Sequence, residues 1–325
     1  MPTQLHPISF TPILKTVLWG GDKIVAFKQL DAQIHDVGES WEISGLPGRE
    51  SIVAEGPDRG LSLPELIGKY RGALVGDAVY ERYGTSFPLL VKFIDAHRDL
   101  SVQVHPNDEL ARRRHNSNGK TEMWYIIEAE EGARIGCGLN RDLTPEEWEK
   151  LVANKTVMDV VAQPQSHAGD VFYLPAGRVH FIGAGNLLAE IQQTADITYR
   201  IYDFDRRDAA GNLRELHTEL ALNAIDYHHE KEYVRHFDEQ IKDETTLVAC
   251  EHFDVRRLIV DGDTTLQLPH GRSFVVVMCV AGETDLTDDT GYRTHLACGH
   301  TLLIPAALHT LTLAGHATLL TAQMP

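Results

Sequence analysis

The chain has 325 residues, 43% of them hydrophobic and 24% charged, with a formal net charge of −17. That length has room for two domains, each with its own core. The acidic balance excludes nucleic acid and anionic membrane surfaces as partners, while leaving open a small anionic substrate met by locally concentrated positive charge. Cys137, Cys250, Cys279 and Cys298 include no C-x-x-C pair, which argues for a reducing, cytoplasmic setting and against a cysteine zinc site. The start, MPTQLHPISFTP, lacks the pattern of a signal peptide. No run approaches the roughly 20 apolar residues of a membrane span.

In chain order, most segments read as short strands separated by Gly, Pro and Asp. SWEISG, FPLLVKFIDA, LSVQVH, EMWYIIEAE, GDVFYLPAG, LLAEIQQT, ITYRIYDF, SFVVVMCVAG and HTLLIPAA are the clearest. Strands at that density predict a mainly β fold, a sandwich or a barrel. Four helices are predicted among them. SLPELIGKYRGAL opens on a capping box with Ser62 and Glu65 and has Pro64 in the first turn. NDELARRRH is capped by Asn107 or Asp108. TPEEWEKLV repeats the box with Thr144 and Glu147. LRELHTELALNAI places Leu213, Leu216 and Leu220 on one stripe of an amphipathic helix. Charge-rich residues 228–244 read as a linker, dividing the chain into 1–235 and 236–325.

An internal repeat supports that division. AGDVFYLPAGRVHFIGAG (168–185) resembles CGHTLLIPAALHTLTLAG (298–315), and EMWYIIEAEEG (122–132) aligns with RSFVVVMCVAG (272–282). Two copies of one β-fold follow. Arg272 stands where the first copy has Glu122, and the second copy has no counterpart of Gln103-x-His105. The smaller second domain is therefore expected to lack whatever site the first carries.

Gln103 and His105 are two apart in a predicted strand, so they share a face, while Val102 and Val104 take the other. Gly169, Pro175, Gly177 and His180 fit G-x5-P-x-G-x2-H and resemble the second half of the cupin signature. The asparagine usual four residues after that histidine is absent; position 184 is Ala, and Asn186 comes two residues late. The first half, usually H-x-H and then Glu, reads as Gln103-x-His105 and then Glu122. This resemblance implies one divalent ion held by Gln103, His105, Glu122 and His180. Two nitrogen and two oxygen donors suit zinc and also accept manganese, cobalt or iron(II). Singly, each histidine reads as structural and Glu122 as a solvated carboxylate. Their coincidence in one barrel pattern points to a metal.

SVQVHPND, GKTEMWYI, PAGRVH and EIQQTADITYRIYD together resemble the class I mannose-6-phosphate isomerases, and VLWGG and the chain length resemble their short bacterial form. The resemblance covers nearly the whole chain. One departure is Thr121, where many members have Pro. It implies a pair of cupin barrels (double-stranded β-helices) with a small helical region, the first barrel being catalytic. It also implies interconversion of mannose 6-phosphate and fructose 6-phosphate through a cis-enediol or enediolate, with catalytic roles for Lys120, Asp196 and Arg200. Arg200 and Lys120 are candidates for contacting the phosphate or the enediolate, and Lys92 is a second phosphate candidate that reads equally well as an exposed strand lysine. A site of one divalent ion, one carboxylate, Lys120 and Arg200 would be locally positive in an acidic chain. The competing readings are a sugar-phosphate-binding cupin sensor and another cupin enzyme. The expected partner is a small sugar phosphate, and the expected assembly a monomer or small homo-oligomer.

Overall fold

The computed structural model describes residues 4–207, 210–238, 241 and 244–325. Among these, three antiparallel sheets account for most of the regular structure. A seven-stranded sheet runs in the order Val234–Arg235, Val171–Leu174, Glu122–Ala129, Asn186–Gln193, Leu89–Ala96, Val37–Ile43 and Ile13–Gly21. A four-stranded sheet runs Tyr199–Tyr202, Val102–Val104, His180–Ile182 and Ile135–Cys137. Together they form the two walls of the first barrel, with Trp124, Phe172, Ile94, Ile182 and Ile135 packed between them.

Each wall is covered on its outer face. Val102, Val104, Phe181 and Tyr199 turn away from the barrel interior and pack with Trp148 of helix Pro145–Ala153 and Ala221 of helix Thr218–Leu222. The alternation in SVQVH therefore reports a sheet between two different environments. The strands Leu89–Ala96 and Asn186–Gln193 are buried along their whole length. Leu66, Ile67 and Leu74 from the helical region 63–83 cover their outer face.

The third sheet forms the second barrel. Three 14-residue strands, Asp254–Gln267, Thr310–Gln323 and Val275–Asp288, lie side by side. They enclose a second apolar core that includes Val277, Leu286, Leu313 and Leu319. Two short strands from early in the chain, Ile8–Thr11 and Ile52–Val53, complete this sheet. Ile8 pairs with Leu303, and Phe10 with Val53.

The capping signals are realised. The Ser62 N–H donates to Glu65 Oε2 at 2.8 Å, and the Thr144 N–H to Glu147 Oε2 at 2.9 Å. Asn107 accepts from the Leu110 N–H at 2.9 Å and starts helix Asp108–His115. The first of the predicted helices, Leu63–Tyr70, ends there because Arg71 has a positive φ of 50°, and a short turn of helix, Gly72–Val75, follows. The helix expected over 213–225 is shortened to Thr218–Leu222, and Leu213 and Leu216 are exposed rather than on a buried stripe. Its first part is held extended: the His217 N–H donates to the Arg200 carbonyl at 2.7 Å, and the Arg200 N–H donates back to His217 Nδ1 at 3.2 Å. None of the described helices is long and apolar enough to cross a membrane.

Candidate metal centre and active-site cavity

Sheet register assembles the site. His180 pairs directly with Gln103, and Gln103 with Arg200 on its other side. Directly opposed residues project from the same face. The three side chains thus form one row on the inner wall of the four-stranded sheet. His105 follows Gln103 by two residues and is tied in place by its carbonyl, which accepts from the Gly177 N–H at 2.9 Å. Glu122 opens a strand of the opposite wall, between Leu174 and Gln192.

Among the described residues, His105, Glu122 and His180 form the one group of three such side chains whose ligand atoms lie within 4.8 Å of one another. All three are buried. Glu122 Oε1 is 3.2 Å from His180 Nε2, and Oε2 is 3.6 Å from His105 Nε2. Each histidine turns Nδ1 to a backbone carbonyl, His105 to Ile197 at 2.9 Å and His180 to Arg178 at 2.8 Å. That pairing places the ring proton on Nδ1 and aims the Nε2 lone pair into the centre. Gln103 places its amide nitrogen 3.2 Å from His180 Nε2; a half-turn of the amide presents the oxygen instead.

The electrostatics suit a cation. Burial drives His180 down to about 3 and also lowers His105, where Lys120 adds to the effect, so both rings are neutral. Burial alone would raise the Glu122 carboxyl, but the Lys120 ammonium beside it outweighs burial and holds the group well below the usual carboxylate range. Both Glu122 oxygens are buried without an aligned hydrogen bond. Lys120 Nζ lies 2.7 Å from Oε2, close enough for an ion pair but off the hydrogen-bonding direction, and 3.1 Å from His105 Nε2. Two neutral imidazoles and an under-satisfied carboxylate fit a divalent ion.

The centre opens into a cavity of about 190 Å³ lined by Gln103, Lys120, Arg200, Asp196 and Lys92, among others. The structure therefore gathers around one space every sequence-predicted residue except the more deeply placed His105, Glu122 and His180. Their environments differ. Arg200 Nη1 donates to the Glu215 carbonyl at 2.9 Å, while its Nε is buried without a partner. Asp196 is half-exposed and pairs with Arg49 at 3.1 Å. Lys92 is buried, 2.8 Å from Glu190 and 3.9 Å from Glu39, and those carboxylates raise its pKa against the effect of burial. Sequence reasoning missed Glu39 and Glu190. Glu190 also accepts from the Trp124 indole N–H at 2.8 Å, and Trp124 stands edge-on to the His180 ring. A carboxylate inside the apolar run LLAEIQQ was the available signal. Asn186, the displaced asparagine of the signature, is buried and donates to the Gly183 and Arg134 carbonyls, so it shapes the turn after His180 rather than the cavity.

A family model for the catalytic domain of type I phosphomannose isomerase matches residues 9–132, and one for the cupin domain of mannose-6-phosphate isomerase matches residues 243–324. The mannose-6-phosphate isomerase ManA of Bacillus subtilis is 36% identical over 320 residues, covering 96% of this chain and 97% of its own. The mannose-6-phosphate isomerase of Streptococcus mutans is 33% identical, covering 87% of each. The crystal structure of the Bacillus subtilis mannose 6-phosphate isomerase superposes with a TM-score of 0.89 at 32% identity, covering 98% of this chain and 99% of that one. With matching models at both ends, relatives along its full length and the same fold, the chain belongs to the type I phosphomannose isomerase family.

Proposed function

We infer that the protein is a metal-dependent aldose–ketose isomerase that interconverts mannose 6-phosphate and fructose 6-phosphate. One observation carries this reading: the buried His105–Glu122–His180 cluster, with an under-satisfied carboxylate, opens into a cavity flanked by Lys120 and Arg200. We assign the ion to His105, Glu122, His180 and Gln103, and favour zinc on the mixture of nitrogen and oxygen donors. A bound divalent ion supplies electrophilic polarisation of the sugar oxygens.

The remaining steps belong to the side chains. The open-chain aldose must lose the proton on C2, whose bonding pair becomes the C1–C2 double bond of an enediolate while O1 gathers negative charge. Transfer of the O2 proton to O1 and return of the abstracted proton to C1, as the O2–H bonding pair becomes the C2 carbonyl, yields the ketose. We assign the proton transfer to Lys120, whose Nζ reaches both the cavity and the ligand shell. Arg200 offers a buried, unpartnered Nε–H to an anionic oxygen, and its planar fork suits one. Asp196 sits at the cavity wall with Arg49 and is assigned to the ring-opening end of the reaction. Lys92 already has two carboxylates, so we give it the task of ordering Glu190 and, through Trp124, the His180 ring.

The decisive test is conversion of mannose 6-phosphate to fructose 6-phosphate by the purified protein, before chelator, after it, and after zinc is restored. Activity is expected to be lost and recovered. No conversion by the folded, metal-loaded protein overturns the assignment and favours a sugar-phosphate sensor.

A further inference from the structure

The cavity has an excess of positive charge at one end only. Each carboxylate lining it has its own cation, Glu190 with Lys92, Glu39 with Lys15 at 3.9 Å and Asp196 with Arg49, and the deeper Glu122 has Lys120. At the other end stand Arg200 and Arg214, both lining the cavity. Arg200 has no ion-pair partner among the described residues, and its Nε is buried without an acceptor. Arg214 shares the single carboxylate of Asp203 with Arg206.

The geometry of Arg214 is built rather than incidental. Its Nε donates to Asp203 Oδ2 at 2.7 Å and its Nη2 to Oδ1 at 2.5 Å. Two parallel bonds to a buried carboxylate fix the plane of the guanidinium and use one of its edges. The Nη1 edge takes no part in that pair. Arg200 lies in the same row as His180, two strands away, which is about 10 Å at the usual strand spacing. That distance is comparable to the reach of an open-chain hexose from its carbonyl end to a group on C6.

We propose that Arg214, with Arg200, forms the anion-binding end of the cavity and selects substrates that carry a phosphate at the end remote from the reacting carbonyl, with Asp203 as the residue that positions it. The proposal deepens the isomerase reading and rests on it for the identity of the sugar. Arg214 lies outside the segments that suggested the site from sequence, and Asp203, the last residue of EIQQTADITYRIYD, was given no role there. Arg214 comes to the cavity from the extended stretch before helix Thr218–Leu222, which the Arg200–His217 hydrogen bonds draw against the catalytic strand.

The test compares wild-type protein with Arg214→Ala, Arg214→Lys and Asp203→Asn, each loaded with zinc and checked for metal content and melting temperature. The readouts are KM and kcat for mannose 6-phosphate and the inhibition constant of inorganic phosphate. For Arg214→Ala both KM and the phosphate inhibition constant are expected to rise roughly 10- to 100-fold, the loss of one charge-assisted contact, with the effect falling on KM more than on kcat. Arg214→Lys keeps the charge without the fork and should fall between wild type and Ala. Asp203→Asn should raise KM through a loosened Arg214 and leave metal content intact. An unchanged phosphate inhibition constant in a folded, zinc-loaded Arg214→Ala or Arg214→Lys protein overturns the proposal, as does a loss confined to kcat. Failure of the isomerase reading is separable. A wild-type protein that converts no sugar phosphate, yet binds inorganic phosphate in calorimetry and loses that binding in Arg214→Ala, retains the anion site and loses the reaction.

Discussion

Glu122 carries the formal negative charge of the proposed ligand set, because both histidines are held neutral and Gln103 is an amide. Glu122→Gln preserves shape and removes that charge. The ion would then be held by neutral donors alone, with the Lys120 ammonium beside it. Metal content after dialysis is expected to fall well below that of wild type, and conversion of mannose 6-phosphate by more than about 100-fold, above the usual cost of losing an outer partner. Elemental analysis and a coupled assay read both, and wild-type values for the two would remove Glu122 from the set. At this scale the shared face of Gln103 and His105 was legible because their spacing is local, i and i+2 in one strand, whereas Glu122 and His180 were reached only through the resemblance to the cupin signature. The Glu190–Lys92 pair was not legible. Its members lie 98 positions apart and meet only through the register of two central strands.

Elements hold those residues in position, and one close fit lies beside His180. Gly136 pairs with Phe181 across the four-stranded sheet. A Cβ built on Gly136 would fall 2.0 Å from Phe181 Cδ1, and the ring is fully buried with no room to withdraw. Gly136→Ala must therefore push the strand His180–Ile182 away from its neighbour. The expected cost is about 1–3 kcal/mol of stability, the range for overpacking a well-filled core, together with weaker metal retention because His180 moves with its strand. Denaturant unfolding and metal titration check the two effects, and wild-type values for both would show that the barrel wall yields at no cost. Helix starts were readable from Ser62, Thr144 and Asn107 because capping is a contact within four residues. The stripe Leu213, Leu216 and Leu220 misled for the complementary reason. Hydrophobic period is blind to competing long-range bonds, and here Asp203 takes Arg214 while Arg200 takes His217, so the helix begins only at Thr218.

Over the whole molecule the two barrels share material that no local pattern announces. The strand Ile8–Thr11 reaches across to pair with Thr301–Ile304, nearly the full length of the chain away, and one apolar core runs from Leu66 and Phe93 to Phe274 and Leu320. Asp288 anchors the start of the chain on the second barrel. One of its oxygens accepts from the Thr290 hydroxyl at 2.6 Å, the Thr290 N–H at 2.9 Å and the Tyr292 N–H at 3.0 Å. The other lies 2.9 Å from His6 Nδ1, and the His6 ring stacks on Tyr292 with centroids 4.3 Å apart. Burial would raise this carboxyl, but the hydrogen bonds from Thr290, His6 and Tyr292 prevail and hold it below its ordinary 3.8. A carboxyl depressed in the fold contributes stability that is present above its unfolded value and is lost as pH falls through the folded one, because the unfolded chain takes the proton first. Asp288→Asn keeps the shape and removes both the charge and its titration. The denaturant midpoint of Asp288→Asn is expected to lie below wild type at pH 6, and the gap to narrow as pH drops from about 4 towards the folded value. A gap of constant size between pH 6 and 3 would mean that the clamp holds the chain's start by shape alone. A narrowing gap would establish that the ionised carboxylate ties the first strand to the last barrel.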